Sequence, residues 1–360
     1  MRVLAREPRP AGGEAEARAR SYCAELLRHA GFVVHEEPFE YSAFPGRWGT
    51  PVAGLVALAV LVGAAMAARA GRPGVAVLAL TLGGVVLGAA AGWLARRGVL
   101  TFPAVRRRGV NLVATRGNRS DAEPTVWLMA HLDSKSQPVP ILLRAAGITL
   151  VAVVWVVALV GAVMQLALGT GFGGAWLAIT AVATAGAIPV IATTVGANSP
   201  GALDNATGVA TVLAAVEEAA RSPCHVCLTS AEELGLAGAR AWVRGAERRG
   251  AMVAINCDGV DDFGATTCMY SGRRPDALVT AALEAAARTG SRMRAHRLLP
   301  GVLTDGVALA DAAWSVVTLS KGGVRTLARI HTQGDTAECL TGSGMAEVAG
   351  VIVALLETRT

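Results

Sequence analysis

Ser199-Pro200-Gly201-Ala202-Leu203-Asp204-Asn205-Ala206-Thr207-Gly208 places an acidic residue between a Pro-Gly turn and a run of small helix-forming residues. Pro200 and Gly201 stop any regular element before the acid. The residues after it, to about Arg221, have the spacing of a helix. Asp204 thus stands at a helix start, where the dipole favours an anion. Alone, an Asp-Asn after Leu reads as a turn or an N-cap.

Four blocks change that reading. Ala130-His131-Leu132-Asp133-Ser134 comes before it. Ala231-Glu232-Glu233-Leu234-Gly235, Asn256-Cys257-Asp258 and His331-Thr332-Gln333-Gly334-Asp335-Thr336 follow. Each puts one or two metal-ligating side chains into a loop or just after an apolar strand. A His-x-Asp arises often by chance, and Glu-Glu is usually a solvated pair. Five blocks in this setting are a stronger signal. Two metal ions about 3.5–4 Å apart need a shared carboxylate and terminal ligands on each side. Asp204 is the natural bridge. His131 and Asp258 complete one half, Glu233 and His331 the other. Glu232 is left over as a general base. Asp133, two residues past His131, is placed to orient the imidazole. Mixed imidazole and carboxylate ligation suits two zinc ions, with cobalt or manganese as substitutes. His29, His35, His225 and His296 lack such surroundings and read as surface or core residues.

The chain is 53% hydrophobic and only 17% charged, against about 25% charged in soluble domains. The excess lies in four uncharged runs, Pro51–Ala68, Pro73–Ala95, Ala145–Leu168 and Phe172–Val195. Each is long enough to cross a bilayer. They form two hairpins, turned by Arg69–Gly74 and by Gly169–Gly171. Gly84, Gly88 and Gly92 recur at four-residue spacing, which permits close helix contact or reflects ordinary small-residue enrichment. The expected layout is one catalytic domain in three pieces, residues 1–48, 97–141 and 197–360. Transmembrane hairpins at 49–96 and 142–196 separate them.

The net charge of +6 does not indicate nucleic acid, and no nucleic-acid-binding motif is present. Arg96, Arg97, Arg106, Arg107 and Arg108 cluster beside the apolar runs, as membrane-flanking residues do. The bilayer is an expected partner, and a peptide substrate is implied only by the resemblance given below; the sequence does not give the oligomeric state. The first 50 residues contain no apolar signal-peptide core. Cys224-His225-Val226-Cys227 has redox or zinc spacing, but it enters an apolar strand and has no second pair. It reads as a core thiol pair.

Outside the hairpins the pattern alternates. Met1–Gly13 is rich in Pro, Arg and Gly and is expected to be loose. Helices are expected at Glu14–Ala30, Asp204–Arg221, Leu236–Arg249, Asp276–Ala287 and Gly344–Glu357. Strands are expected at Phe32–Phe39, Val110–Thr115, Thr125–Ala130, His225–Thr229, Met252–Cys257, Thr266–Tyr270 and Ser315–Leu319. This is an α/β sheet with its ligands beyond strand ends.

These motifs resemble those of the bacterial di-zinc aminopeptidases, whose clan also holds glutaminyl cyclase, glutamate carboxypeptidase and the transferrin receptor. The resemblance covers about Glu14–Ser42, Gly109–Gln137 and Ser199–Glu357. It implies a mixed, mostly parallel eight-stranded sheet flanked by helices, with four transmembrane helices inserted here as two hairpins. It also implies the same ligand roles, and a cis peptide between Asp204 and Asn205. Thr207 replaces a more usual Ser, and Gly259-Val260 a Met-containing pair. Ile330 stands where some relatives carry an oxyanion-binding Tyr, which leaves the second metal as the main carbonyl polariser unless Tyr270 or Arg329 reaches the site. The expected function is a membrane-anchored di-zinc aminopeptidase. A glutaminyl-cyclase-like single-zinc transferase and a non-catalytic receptor or scaffold are the alternatives. The excess of Arg and Lys on the peptidase side of the hairpins predicts a multi-pass protein of the cell membrane with its catalytic domain in the cytoplasm.

Overall fold

The computed structural model describes residues 1–116, 126–219, 222–246, 252–299 and 301–358. The ends of three expected elements, at Thr125, Arg221 and Glu247–Arg249, lie outside them. The chain divides into two compact units. One comprises Met1–Ala43, Val99–Ser136 and Ala197–Thr360, and the other Phe44–Gly98 and Gln137–Gly196.

The elements run α1 (Glu14–His29), β1 (Val33–Ser42), α2 (Phe44–Arg69), α3 (Pro73–Trp93), β2 (Arg106–Thr115) and β3 (Val126–His131). Then come α4 (Ile141–Leu168), α5 (Gly173–Ile191), α6 (Thr207–Glu218), β4 (Cys224–Thr229), α7 (Ala237–Ala246) and β5 (Val253–Val260). The chain closes with β6 (Ala265–Tyr270), α8 (Asp276–Arg288), β7 (Met293–Arg297), α9 (Asp305–Asp311), β8 (Ser315–Gly322), α10 (Val324–Arg329) and α11 (Ser343–Glu357).

In the first unit eight strands form one mixed sheet in the order β1-β2-β4-β3-β5-β8-β6-β7. The central four, β4-β3-β5-β8, are parallel. β2 runs antiparallel to both β1 and β4, while β6 is antiparallel to β8 and parallel to the edge strand β7. Parallel central strands must be covered on both faces, and the side-chain alternation of β3 shows how. Val126, Leu128 and Ala130 enter the core beneath α1, α6, α8 and α11. Trp127 and Met129 point to the opposite core, with Trp242 of α7 and Trp314. There Trp127 packs edge-on against Trp242, centroids 4.7 Å apart, and Trp242 against Trp314 at 5.2 Å. His225 lies in this layer, 4.8 Å from Trp127, so it is a core histidine.

Cys224 and Cys227 are both buried free thiols, but not a pair. Their odd separation on a strand sends them to opposite faces, Cys224 into one core and Cys227 into the other. The N-terminal segment is not loose either. Leu4 and Ala5 are buried, and so is Arg9 at 1% exposure. A guanidinium has five donors, and this one finds enough carbonyls to offset its burial.

The second unit holds α2, α3, α4 and α5. With the continuation of α3 to Thr101, all four helices are long and apolar enough to cross a membrane. Their shared core consists largely of alanine, with Leu61, Leu80, Val154 and Trp176. The Gly84–Gly88–Gly92 ladder is not the contact surface. Gly84 faces Trp155, whereas a side chain at Gly88 or Gly92 would meet nothing within 4 Å. Close approach occurs instead at Gly147, against the Gly186 carbonyl and Pro189. A buried polar clamp joins three of the helices. Gln165 donates to the Ala68 carbonyl at 2.8 Å and accepts from the Trp176 indole at 2.7 Å. Interhelical bonds of this kind stabilise apolar bundles.

Candidate metal centre

The sheet brings five loops together at the carboxyl ends of its parallel strands. His131 is the last residue of β3, in register with Thr229 of β4. Glu232 and Glu233 lie three and four residues beyond it, and Asp258 near the end of β5. His331 follows α10, with φ of 64°. Asp204 precedes α6. It stands in an irregular turn opened by Gly201, whose φ of 61° suits glycine. The Asp204–Asn205 peptide is cis, as the resemblance implied.

Asn205 fixes this turn. Its amide donates to the Cys257 carbonyl at 2.8 Å, and its oxygen accepts from the Gly208 and Gly259 N–H groups at 3.0 and 3.3 Å. A Cβ on Gly208 would overlap Asn205 Oδ1 and the Cys257 carbonyl, which explains the glycine. Thr207 takes the position of the more usual Ser without loss: its hydroxyl donates to Leu203 and accepts from Val260.

Asp204 is the hub. Its Oδ1 is 3.0 Å from His131 Nε2, and its Oδ2 is 3.0 Å from His331 Nε2. His131 Nε2 is also 3.7 Å from Asp258 and 4.0 Å from Glu232. His331 Nε2 is 3.2 Å from Glu233 Oε1. Two groups of ligand atoms result, His131 with Glu232 and Asp258, and Asp204 with Glu233 and His331. All six side chains are largely withdrawn from solvent.

The supporting residues are as informative. Both oxygens of the Asp133 carboxylate accept backbone N–H bonds, from Glu232 at 3.0 Å and Glu233 at 3.2 Å. The His131 ring is oriented differently from the sequence reading. Its Nδ1 lies 3.0 Å from the Asp133 backbone carbonyl and 3.6 Å from the carboxylate. The Asp133 side chain therefore aims the Glu-Glu loop, and its main chain aims the imidazole. Asp335 does the same for the Asp204 turn, accepting from the Leu203 and Asp204 N–H groups at 2.7 and 3.2 Å.

Sequence reasoning missed three other residues. Arg9 binds the carbonyls of Leu132, Pro200 and Gly201 at 2.6–2.9 Å, tying the His131 loop to the Asp204 loop. Lys135 forms a 2.7 Å ion pair with Glu233 Oε2. Asp305 is fully buried behind the cluster and bonded to Thr229; burial lifts its carboxyl to about 7. No motif marked any of them. Of the two possible oxyanion donors, Tyr270 lines a separate recess with Leu298 and Thr304. Arg329 lies two residues before His331, with its Nε and Nη2 buried and without hydrogen-bond partners.

The electrostatics follow from crowding. Burial pushes the Asp204 carboxyl up, but the two imidazoles 3.0 Å from its oxygens outweigh it and hold the carboxyl well below its usual range. Burial raises Glu232 well above its usual value, and the Glu233 and Asp258 charges add to that. Asp258 is raised for the same reason. Glu233 is lowered, because His331 and Lys135 outweigh its burial. His131 is raised well above its usual value despite burial, chiefly by Glu232.

His131 Nε2, His331 Nε2 and Glu233 Oε1 are buried without hydrogen-bond partners. Buried polar atoms are normally satisfied. Imidazole nitrogens and carboxylate oxygens converging from five loops are a donor set for a borderline cation. The residues thus fit a metal pair.

Comparisons with known proteins point the same way. Residues 185–356 match the model of Peptidase family M28. No curated protein matches. Among solved structures, the aminopeptidase from Aneurinibacillus sp. strain AM-1 superposes with a TM-score of 0.58 at 13% identity, covering 99% of this chain and 91% of that one. A zinc aminopeptidase from Bacillus subtilis gives 0.55 at 13%, covering 98% and 91%. Porphyromonas gingivalis glutaminyl cyclase gives 0.55 at 14%, covering 98% and 93%. Identities this low establish the fold. With the family match, they agree with the clan named from the motifs and support a zinc-peptidase-like function.

Proposed function

We propose that this chain is a membrane-anchored di-zinc aminopeptidase. The observation that carries this reading is Asp204, whose two oxygens lie 3.0 Å from two different imidazoles. His131 and Asp258 would hold one zinc ion, Glu233 and His331 the other, with Asp204 shared. When bound, such ions lower the pKa of water and polarise a carbonyl. Of the three carboxylates within 4.0 Å of His131 Nε2, Glu232 is the most distant at 4.0 Å, which leaves it available as a general base. It takes the proton of the attacking water and passes it to the leaving amine. Asp133 holds the Glu232 backbone in place for this transfer.

Hydrolysis of aminoacyl-fluorophores and short peptides, soluble and lipid-linked, tests the activity. Turnover that depends on zinc or cobalt and requires a free N-terminal amine is expected. Its absence across the panel would remove the aminopeptidase reading. Glutaminyl cyclases superpose as well as the aminopeptidases do, so a single-zinc cyclisation of N-terminal glutamine is the second reading. The complete second ligand group favours the first.

The four apolar helices support insertion as two hairpins. Arg47, Arg96, Arg97, Arg106, Arg107, Arg108 and Arg144 flank them on the peptidase side, and only Arg69 and Arg72 on the other. Lys135 is also close to the helices in sequence and by sequence alone adds to the peptidase-side charge, but its side chain is 15% exposed and paired with Glu233, so it is not counted. The remaining bias still favours a cytoplasmic catalytic unit. Single cysteines at Gly46 and Thr170 test it with a membrane-impermeant label. Position 170 should react in intact cells and position 46 should not; the reverse pattern would invert the topology.

A further inference from the structure

The two halves of the centre differ in one respect that the ligand set does not require. Glu233 is a divided carboxylate. Its Oε1 faces His331 Nε2 at 3.2 Å, buried and without a hydrogen bond. Its Oε2 is held by the Lys135 ammonium at 2.7 Å. Among the described residues, no Lys or Arg nitrogen pairs with Asp258, Glu232 or Asp204; their only cationic neighbours within 4.0 Å are imidazoles. The direct ion pair to a permanent cation therefore belongs to the His331 half alone, although the Lys135 charge also reaches Glu232 and Asp204 more weakly. It sits in a buried setting, where Coulomb interactions are weakly screened.

Resting on the di-zinc reading, we propose that Lys135 sets unequal affinities in the metal pair. The His131 half loads first, and the His331 half is a weaker, second site. Two effects act in the same direction. The ammonium occupies one of the two oxygens that Glu233 has to offer, leaving it a single-oxygen ligand. The same ammonium repels any dication that enters beside it. Neither effect reaches the Asp258 side in equal measure, since Asp258 carries no such partner. Lys135 is a positioning residue here: it acts through Glu233 and makes no contact with substrate in this scheme.

The test is metal binding by the full-length protein in detergent, stripped by chelator and titrated with zinc against a chromophoric competitor. Two ions should bind, the second at least about tenfold more weakly than the first. Lys135→Met should strengthen the second step by about tenfold or more and change the first by less than about threefold. Lys135→Arg, which keeps the cation, should preserve the gap. Cobalt titrations of the same proteins should show the visible bands of the two sites growing in sequence in the wild type and together in Lys135→Met. Should Lys135→Met fail to fold, Lys135→Gln makes the same comparison. Equal affinities in the wild type, or a Lys135→Met variant whose second step is unchanged or weaker, would overturn the inference while leaving the di-zinc reading intact. A wild-type chain that binds no zinc would overturn both.

Discussion

Replacing Glu232 by Gln is expected to lower kcat by about 10²–10⁴ and to leave the zinc content unchanged. Gln is close to Glu in size, and its backbone N–H keeps the 3.0 Å bond to Asp133, so the loop keeps its place. What disappears is the carboxylate that accepts and returns a proton. The paired readout matters because Glu232 lies within ligand distance of His131 and Asp258 as a group. Were it a ligand rather than a base, zinc would be lost along with activity. Full turnover in Glu232→Gln would show that it is neither. KM should move little, because the substrate's binding contacts are untouched.

Asp204→Ala should have the broader effect. One side chain presents an oxygen to each imidazole, at 3.0 Å in both cases, so a single substitution removes a ligand from both halves at once. Losing even an outer-sphere partner costs about 10–100-fold in metal affinity; losing the shared ligand should exceed that at both sites and bring activity to background. Asp258→Ala is the control, with the loss concentrated on the His131 half. Zinc titration of the two variants checks this. Comparable loss at only one site in Asp204→Ala would mean that the carboxylate is a terminal ligand and not a bridge.

The five blocks that converge on the candidate centre were legible because metal chemistry restricts residue type, and because those of His131, Glu232–Glu233 and Asp258 end or follow apolar strands that announce themselves by pattern. The eight strands were less evenly legible. β3 and β4 are wholly buried and mostly apolar. β7, Met-Arg-Ala-His-Arg, is an edge strand with mixed exposure, and nothing in its composition separates it from a loop. The short helices α9 and α10 carry too few turns to show a period. Lys135 and Arg9 illustrate a different limit. A lysine beside an apolar run reads as a membrane-flanking charge, and an arginine among prolines and glycines reads as solvent-facing. Only the folded chain shows that one meets Glu233 and the other meets carbonyls from two ligand loops. Asp133 does lie beside the cluster, yet its carboxylate accepts from the Glu232 and Glu233 backbone, while its own carbonyl faces the His131 ring.

The claim on which the rest depends is the metal pair, and counting the metal tests it most directly. The purified full-length protein, saturated with zinc and then freed of unbound ion, should be measured by elemental mass spectrometry against protein concentration from amino-acid analysis. Two zinc ions per chain are predicted, falling towards none in Asp204→Ala. One ion per chain at saturation would contradict the account and favour the glutaminyl-cyclase-like alternative, and none would leave the cluster without a catalytic metal.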